Sequence, residues 1–248
     1  ISSWSVANVT DMSGMFSNAS AFNQDITNWV LKTAPPPALT NMFNGATGMV
    51  SVWGTHPSFN PITQYFFSEK NIITQSTIYS AVNLWLQNKS MAVKAYGDIN
   101  SWVFDTVTDM SGLFKNKSSF NDNISNWDTS KVTNMRDMFK GATTFNKNIT
   151  TDGSGWNVEN VRNMTDMFSS ATVFNADVTN WNVRQVTNMN NMFYGATTFN
   201  QNITSWVPNF KVFNLDIITD MFLGASAMGL IFNTKTGWGT SPSSAFFP

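Results

Sequence analysis

Apolar residues along this chain follow neither a long strand alternation nor a long helical period; they come in short clusters repeated at a fixed distance. Tryptophan marks the period. Trp4, Trp29, Trp102, Trp127, Trp156, Trp181 and Trp206 lie 25, 25, 29, 25 and 25 residues apart wherever repeats adjoin. Twelve residues after most of them stands a second aromatic (Phe16, Phe114, Phe139, Phe168, Phe193), and six residues later a third (Phe22, Phe120, Phe145, Phe174, Phe199). The unit reads W-x-V-x-x-V-T-x-M-x-x-M-F-x-x-A-x-x-F-N-x-x-I, with x mostly polar. A fixed period of this size is the signature of stacked repeats: one coil cannot bury its own apolar side, but neighbours cover one another. The pattern predicts an α/β repeat solenoid with short parallel strands and a short helix in each coil. The stretch from Thr133 to Phe139 reads as one or two helical turns, and that from Asn146 to Trp156 as turn and strand.

Residues 61–98 break the pattern. There Ile73, Ile78, Ala81, Val82, Trp85 and Leu86 recur every three to five residues, which predicts an amphipathic helix of about four turns. Its apolar face needs a surface, and the open end of a repeat stack, with its unpaired edge, is the natural one. Ile1-Ser-Ser-Trp4 corresponds to Ile99-Asn-Ser-Trp102, and WGTHPS at 53–58 to WGTSPS at 238–243, so two stacks open and close alike. The coil before each closing motif is the irregular one, with Trp29 to Phe43 spanning 14 residues and Trp206 to Phe222 spanning 16. The expected organisation is a two-coil stack with its closing segment at 1–60, a helical junction or cap at 61–98, and a five-coil stack with its closing segment at 99–248. By this pattern the chain reads as a piece of a longer tandem protein, or as a unit that stacks end to end.

Composition narrows the function classes. With 248 residues, 42% hydrophobic and 14% aromatic, the chain can bury a sizeable core without metals or disulfides. Only 12% of residues are charged, so the polar surface falls to 32 Asn, 26 Ser and 28 Thr. A net charge of −1 with no basic cluster gives no footprint for nucleic acid. The absence of cysteine excludes thiol catalysis, thiolate metal sites and disulfides. No apolar run approaches the roughly 20 residues needed to span a bilayer, and residues 1–15 lack the form of a signal peptide, so no membrane insertion is expected.

The quoted unit resembles the BspA-like leucine-rich-repeat surface proteins, whose repeats run to about 25 residues. The residues that carry the resemblance are Val132-Thr-Asn-Met135, Met138-Phe139, Gly141-Ala142-Thr143, Phe145-Asn146 and Ile149, with equivalents at Val9 to Ile26 and Val186 to Ile203. Residues 81–102 are also similar to the segment that introduces repeat arrays in eukaryotic members. The resemblance covers nearly the whole chain and implies a leucine-rich-repeat-like fold and an extracellular or cell-surface location. The PPP-containing insert at 33–39 and the Gly-rich insert at 152–155 depart from the pattern.

Candidate sites are sparse. Asn follows the third aromatic in every coil, at Asn23, Asn60, Asn121, Asn146, Asn175, Asn200 and Asn233. An amide can donate to and accept from backbone groups left unpaired at a tight turn, so this column predicts a structural Asn ladder. His56 is the only histidine, which removes His dyads and multi-His metal sites. Asp11, Asp109, Asp137, Asp166 and Asp220 read as one column shared with Asn41 and Asn191, capping the expected helix, with a calcium ladder as the alternative. Most of the fourteen methionines fall in two repeat columns and read as core. Eight N-x-Ser/Thr sequons, at Asn8, Asn18, Asn88, Asn116, Asn123, Asn148, Asn163 and Asn202, are possible N-glycosylation sites, about as many as chance placement gives. Asn123, Asn148 and Asn202 share one column, where glycans on adjacent coils about 5 Å apart would crowd one another.

No cofactor and no catalytic cluster is expected. The pattern predicts a non-enzymatic extracellular or cell-surface structural protein, acting in adhesion or assembling end to end with other copies or neighbouring modules into a filament or sheath. The alternative is a module recognising surface carbohydrate or protein, for which the aromatics outside the columns are Tyr65, Phe66, Phe67, Tyr194, Phe246 and Phe247.

Overall fold

The computed structural model of the chain describes residues 1, 4–24, 26, 29, 31, 37–53, 72–104, 106–151, 155–206, 215–235, 237–243 and 245–247. Its regular elements, in order, are α1 (Thr47–Trp53), β1 (Ile72–Ile73), α2 (Ile78–Gln87), α3 (Lys89–Tyr96), β2 (Val103–Phe104) and α4 (Ser226–Phe232), with single 3₁₀ turns at Ile99–Ser101 and Leu215–Ile218. β1 and β2 pair as a two-stranded sheet. The chain forms two compact units, Ile1–Ile72 with Asn83–Asp98, and Ile73–Val82 with Ile99–Pro248.

The repeats themselves are built from turns, not from the short helices that the Met-x-x-Met-Phe spacing suggests. From Met135 onward, alternate residues turn their N–H groups to the next coil: Met135 donates to Asn163 O at 2.9 Å, Asp137 to Thr165 O at 2.9 Å, Phe139 to Met167 O at 2.9 Å and Gly141 to Ser169 O at 2.8 Å. The residues between them close four-residue turns within the coil, Met138 onto Met135 O, Lys140 onto Asp137 O and Ala142 onto Phe139 O. Two residues per coil take left-handed backbone angles, here Asp137 at φ 57° and Gly141 at φ 68°, and a right-handed helix cannot propagate through them. The same four-rung track joins Met110–Asn116 to 134–140, 164–170 to 188–194 and 189–195 to 217–223, and in the first unit 12–18 to 38–44. Strand character shrinks to isolated parallel bridges, Asp109↔Asn134, Asn134↔Asn163, Asn163↔Asn188 and, in the first unit, Asp11↔Ala38.

The rungs set the coil spacing, and the core columns follow it. In the second unit Phe114, Phe139, Phe168, Phe193 and Phe222 form one file of near-parallel rings, with centroids 5.4, 5.5, 5.6 and 5.9 Å apart. Phe120, Phe145, Phe174 and Phe199 form a second file at 5.7, 6.1 and 6.0 Å. Trp127, Trp156, Trp181 and Trp206 are buried, and each indole N–H donates to a carbonyl of a preceding coil: Trp127 to Ile99 O, Trp156 to Ile124 O, Trp181 to Ile149 O and Trp206 to Val178 O. The Met, Val and Ala positions of the repeat are buried alongside. Full burial stabilises by about 2–3 kcal/mol per large apolar side chain, which is why the columns tolerate little variation in type.

The single amphipathic helix expected within 61–98 is two helices. Asn88 interrupts it, its side chain accepting from Met91 N at 3.0 Å to cap α3. Ile78, Ala81, Val82 and Trp85 are buried on α2 as the apolar stripe predicts, whereas Ile73 lies in β1, before the helix.

Within the second unit, the segment just before and in the first turn of α2 meets the first coil's carbonyl row with side chains. Gln75 Nε2 donates to Asp109 O at 2.9 Å, its Oε1 accepts from the Thr108 and Asp109 N–H groups at 3.0 and 2.9 Å, and Tyr79 Oη donates to Ser111 O at 2.9 Å. At the other end the WGTSPS segment receives the last coil's outward N–H groups, Phe222 N reaching Thr240 O at 2.8 Å and Asp220 N reaching Ser241 Oγ at 2.7 Å.

Candidate functional site

The polar faces of the second unit are organised column by column. The Asn that follows the third aromatic links coil to coil: Asn146 N donates to Asn121 Oδ1 at 3.0 Å, Asn175 N to Asn146 Oδ1 at 2.8 Å and Asn200 N to Asn175 Oδ1 at 3.0 Å. Gln201 Nε2 adds a bond to Asn175 Oδ1 at 2.9 Å. These amides lie at the surface, yet their acceptor oxygens are occupied by the next coil. Asn23 and Asn233 stand apart from this chain of bonds: among the described residues Asn23 Oδ1 accepts from its neighbour Gln24, and Asn233 is the C-terminal cap residue of α4. Asn60 and His56 lie outside the described residues, as do Tyr65, Phe66 and Phe67.

The acidic residues read as one column are two columns with different work. Asp11, Asp109, Asn134, Asn163 and Asn188 occupy the bridge position, and each side chain accepts from the backbone N–H two residues on, at 2.7 to 3.1 Å. The Ser13 backbone N–H, and then its hydroxyl, hold the Asp11 carboxyl below its usual range. Gly14, Asn41, Gly112, Asp137, Asp166, Asn191 and Asp220 occupy the left-handed position, with φ between 51° and 67°. There is no helix for either column to cap, because the segment is a turn; the type of residue is set by the backbone angle, since Gly, Asn and Asp accept positive φ at least cost.

Two of the left-handed carboxylates also meet lysines of the coil before them. Lys115 Nζ lies 3.1 Å from Asp137 Oδ2, and Lys140 Nζ 2.9 Å from Asp166 Oδ1 and 3.6 Å from Asp137 Oδ1. The hydrogen bond to Asp166, opposed by partial desolvation, leaves the Lys140 ammonium above its ordinary range. Among the described residues, no group of three or more His, Cys, Asp or Glu side chains could hold a metal ion.

The sequons divide by local structure. Asn123, Asn148 and Asn202 are exposed, each accepting from the backbone N–H two residues on, and the Thr204 hydroxyl also donates to Asn202. Asn163 is half-buried in the bridge track, and Asn88 is engaged as the α3 cap. Asn18 and Asn116 occupy the second left-handed column at φ 62° and 59°, and Asn8 is exposed in a turn.

Of the aromatics outside the columns, Tyr194 is 42% exposed, whereas Phe246 and Phe247 are 1% and 2% exposed; Phe246 packs with Trp238 and Phe232, and Phe247 packs edge-on against Phe246. The two phenylalanines belong to the closing segment's core and offer no recognition surface. A cleft of about 530 Å³ opens beside the Gly-rich insert, lined by Asp128, Ser130, Thr151, Gly155, Trp156, Asn157, Glu159 and Asn182. Beneath it Thr129, fully buried, bonds both ways to Asn157, Oγ1 donating to its carbonyl at 2.7 Å and accepting from its N–H at 2.8 Å.

Sequence reasoning missed Gln75 and Tyr79. Their signal is spacing: an amide before a helix and a phenol four residues on can reach two carbonyls of one edge.

No described helix is long and apolar enough to cross a membrane. No curated protein and no solved structure is significantly similar to the chain. One family model, described as "Mycoplasma protein of unknown function, DUF285", matches residues 1–76, 83–206 and 150–238, which is repeated matching across nearly the whole chain. The repeat track and its buried columns fall within those matches, and the chain belongs to the DUF285 family.

Proposed function

We propose that the chain is a non-enzymatic surface module, a solenoid-like stack whose work is to hold and present a weakly charged Asn/Ser/Thr face in adhesion or in assembly outside the cell. The supporting observation is how the polar side chains are used. The Asn and Asp groups that could have formed a reactive site are instead engaged in holding the coils, between coils in the Asn121–Asn146–Asn175–Asn200 series and within each turn along the bridge column. A convergent acid, base and nucleophile would have to break the repeat. The resemblance to BspA-like surface proteins points the same way, and glycans on exposed sequons would suit an extracellular place. Electron microscopy of the native material, with intact-mass analysis, tests the reading: filaments or sheets containing this chain support assembly, and a dispersed monomer of 27.6 kDa removes assembly and turns the test to glycan and receptor binding screens.

The cleft beside the Gly-rich insert favours a second reading, recognition of a carbohydrate through its carboxylates, amides and hydroxyls. A glycan array separates the two. Binding lost when Asp128 and Glu159 are both replaced by Ala would support recognition, and a blank array removes it.

A further inference from the structure

Of the 32 asparagines in the chain, one is followed by glycine, in Asn44-Gly45. Asparagine is a thermolabile residue, and glycine, having no side chain, leaves its own nitrogen the least hindered approach to the amide before it. The fold leaves both reacting groups open. Asn44 and Gly45 are exposed, in the turn that carries the last rung between 12–18 and 38–44. Among the described residues the Asn44 amide has no hydrogen-bond partner, whereas Asn121, Asn146 and Asn175 have their amide oxygens taken by the next coil. The nitrogen is equally open: Gly141 N and Gly195 N each donate to the next coil at 2.8 Å, and Gly45 N meets no described acceptor. The glycine itself is fixed by the fold. Gly45 takes φ 73°, and a Cβ there would run into Asn18 Oδ1. Its counterparts stand in Lys140-Gly141, Tyr194-Gly195 and Leu223-Gly224, so three other coils keep the glycine without an amide before it.

We infer that Asn44 is a covalent modification site, at which the chain deamidates without an enzyme and uncouples a rung of the first unit. Gly45 N attacks the side-chain carbonyl carbon of Asn44; the proton it gives up leaves with the amide nitrogen as ammonia, and a five-membered succinimide closes. One water then opens the ring. Attack at the side-chain carbonyl returns aspartate with the main chain as before. Attack at the main-chain carbonyl leaves isoaspartate, in which the chain runs through the side-chain carbon and the old main-chain carbonyl ends as a free carboxylate. That carbonyl is the one that accepts from Asn18 N at 2.6 Å. Both products add one negative charge to a chain of net charge −1. Aspartate keeps the rung, whereas isoaspartate lengthens the main chain by one carbon and takes the acceptor out of register.

The full chain is held in warm, mildly alkaline buffer beside a synthetic peptide of residues 39–49. Both are followed by ion-exchange chromatography and by peptide mapping with electron-transfer fragmentation, which tells aspartate from isoaspartate. The expected result is an acidic form whose change lies at Asn44, ahead of every other asparagine. It should form no more than about ten-fold slower than in the peptide, since an exposed turn opens at little cost. Asn44→Ser, which sets there the residue type found at Ser17 and Ser169, is expected to abolish that form. Hydrogen exchange at the Asn18 amide should quicken in the isoaspartate fraction and hold steady in the aspartate fraction. Asn44 staying intact while the peptide converts, or another asparagine converting first, overturns the site. Unchanged exchange at Asn18 in the isoaspartate fraction overturns the uncoupling.

Discussion

Asn191 sits at φ 56°, a backbone angle that costs an ordinary L-residue about 1–2 kcal/mol and a β-branched one more. It carries no ion pair among the described residues, so substitutions there isolate the backbone term. Asn191→Val is expected to lower stability by about 2 kcal/mol in urea unfolding, while Asn191→Gly stays within about 0.5 kcal/mol of the parent. Equal effects would mean that the position is held by its amide and not by its angle. The column was visible in the sequence as a recurrence of Asp, Asn and Gly, but its meaning was not. Periodicity reports which side chains face inward and says nothing of the sign of φ, so from sequence the turn reads as a helix and two columns three residues apart read as one. At the same scale, the lysine beside Asp166 offers a pH test. Because the folded pKa of Lys140 is raised above 10.5, its contribution is complete below that value and is lost as pH rises through the folded one. Asp166→Asn keeps a residue tolerant of positive φ and removes the carboxylate. Side-chain NMR should show the Lys140 titration moving down in that variant, and an unchanged titration would deny the Asp166 bond its part.

At the scale of elements, the most informative contact is the one between a helix start and a coil edge. α2 was legible from its apolar stripe, since Ile78, Ala81, Val82 and Trp85 are all buried. Its interruption is not legible, because Asn88 reads in the sequence as a sequon, whereas its side chain accepts from Met91 N and caps a second helix. Gln75 and Tyr79 carry only their spacing as a signal, which in one dimension does not show that a row of carbonyls lies opposite. Gln75 makes three hydrogen bonds to the edge. Gln75→Ala is therefore expected to cost about 2–3 kcal/mol, and Tyr79→Phe, which loses one more exposed bond, about 1 kcal/mol or less. Hydrogen exchange at the Thr108 and Asp109 amides should quicken in the first variant and hold steady in the second. The opposite order would place the anchor at the phenol.

At the scale of the whole molecule, the coils that carry Asn121, Asn146, Asn175 and Asn200 meet one another through the same stacked rings and the same Asn link, and through the same four rungs. Coils should then be removable as units, provided the register is kept. Deleting residues 134–162 joins Thr133 to Asn163, restoring Val-Thr-Asn-Met-Thr-Asp-Met-Phe across the junction. It sets Asn163 where Asn134 now bridges Asp109, Asn175 where Asn146 meets Asn121, and Asp166 where Asp137 meets Lys115. The shortened chain is expected to unfold cooperatively, with a lower midpoint and a urea m-value smaller by roughly a tenth, because one coil's worth of buried surface is gone. Deleting 134–158 removes 25 residues, the period found elsewhere in the chain, yet leaves this coil's extra four behind and puts Glu159 at the bridge position. That variant should lose near-ultraviolet circular dichroism and cooperative unfolding. The contrast discriminates between two accounts of stability. If the rungs and columns carry it, only the in-register deletion folds; if a diffuse hydrophobic core suffices, the two variants behave alike, and the repeat would be a feature of the sequence without being the unit of the structure.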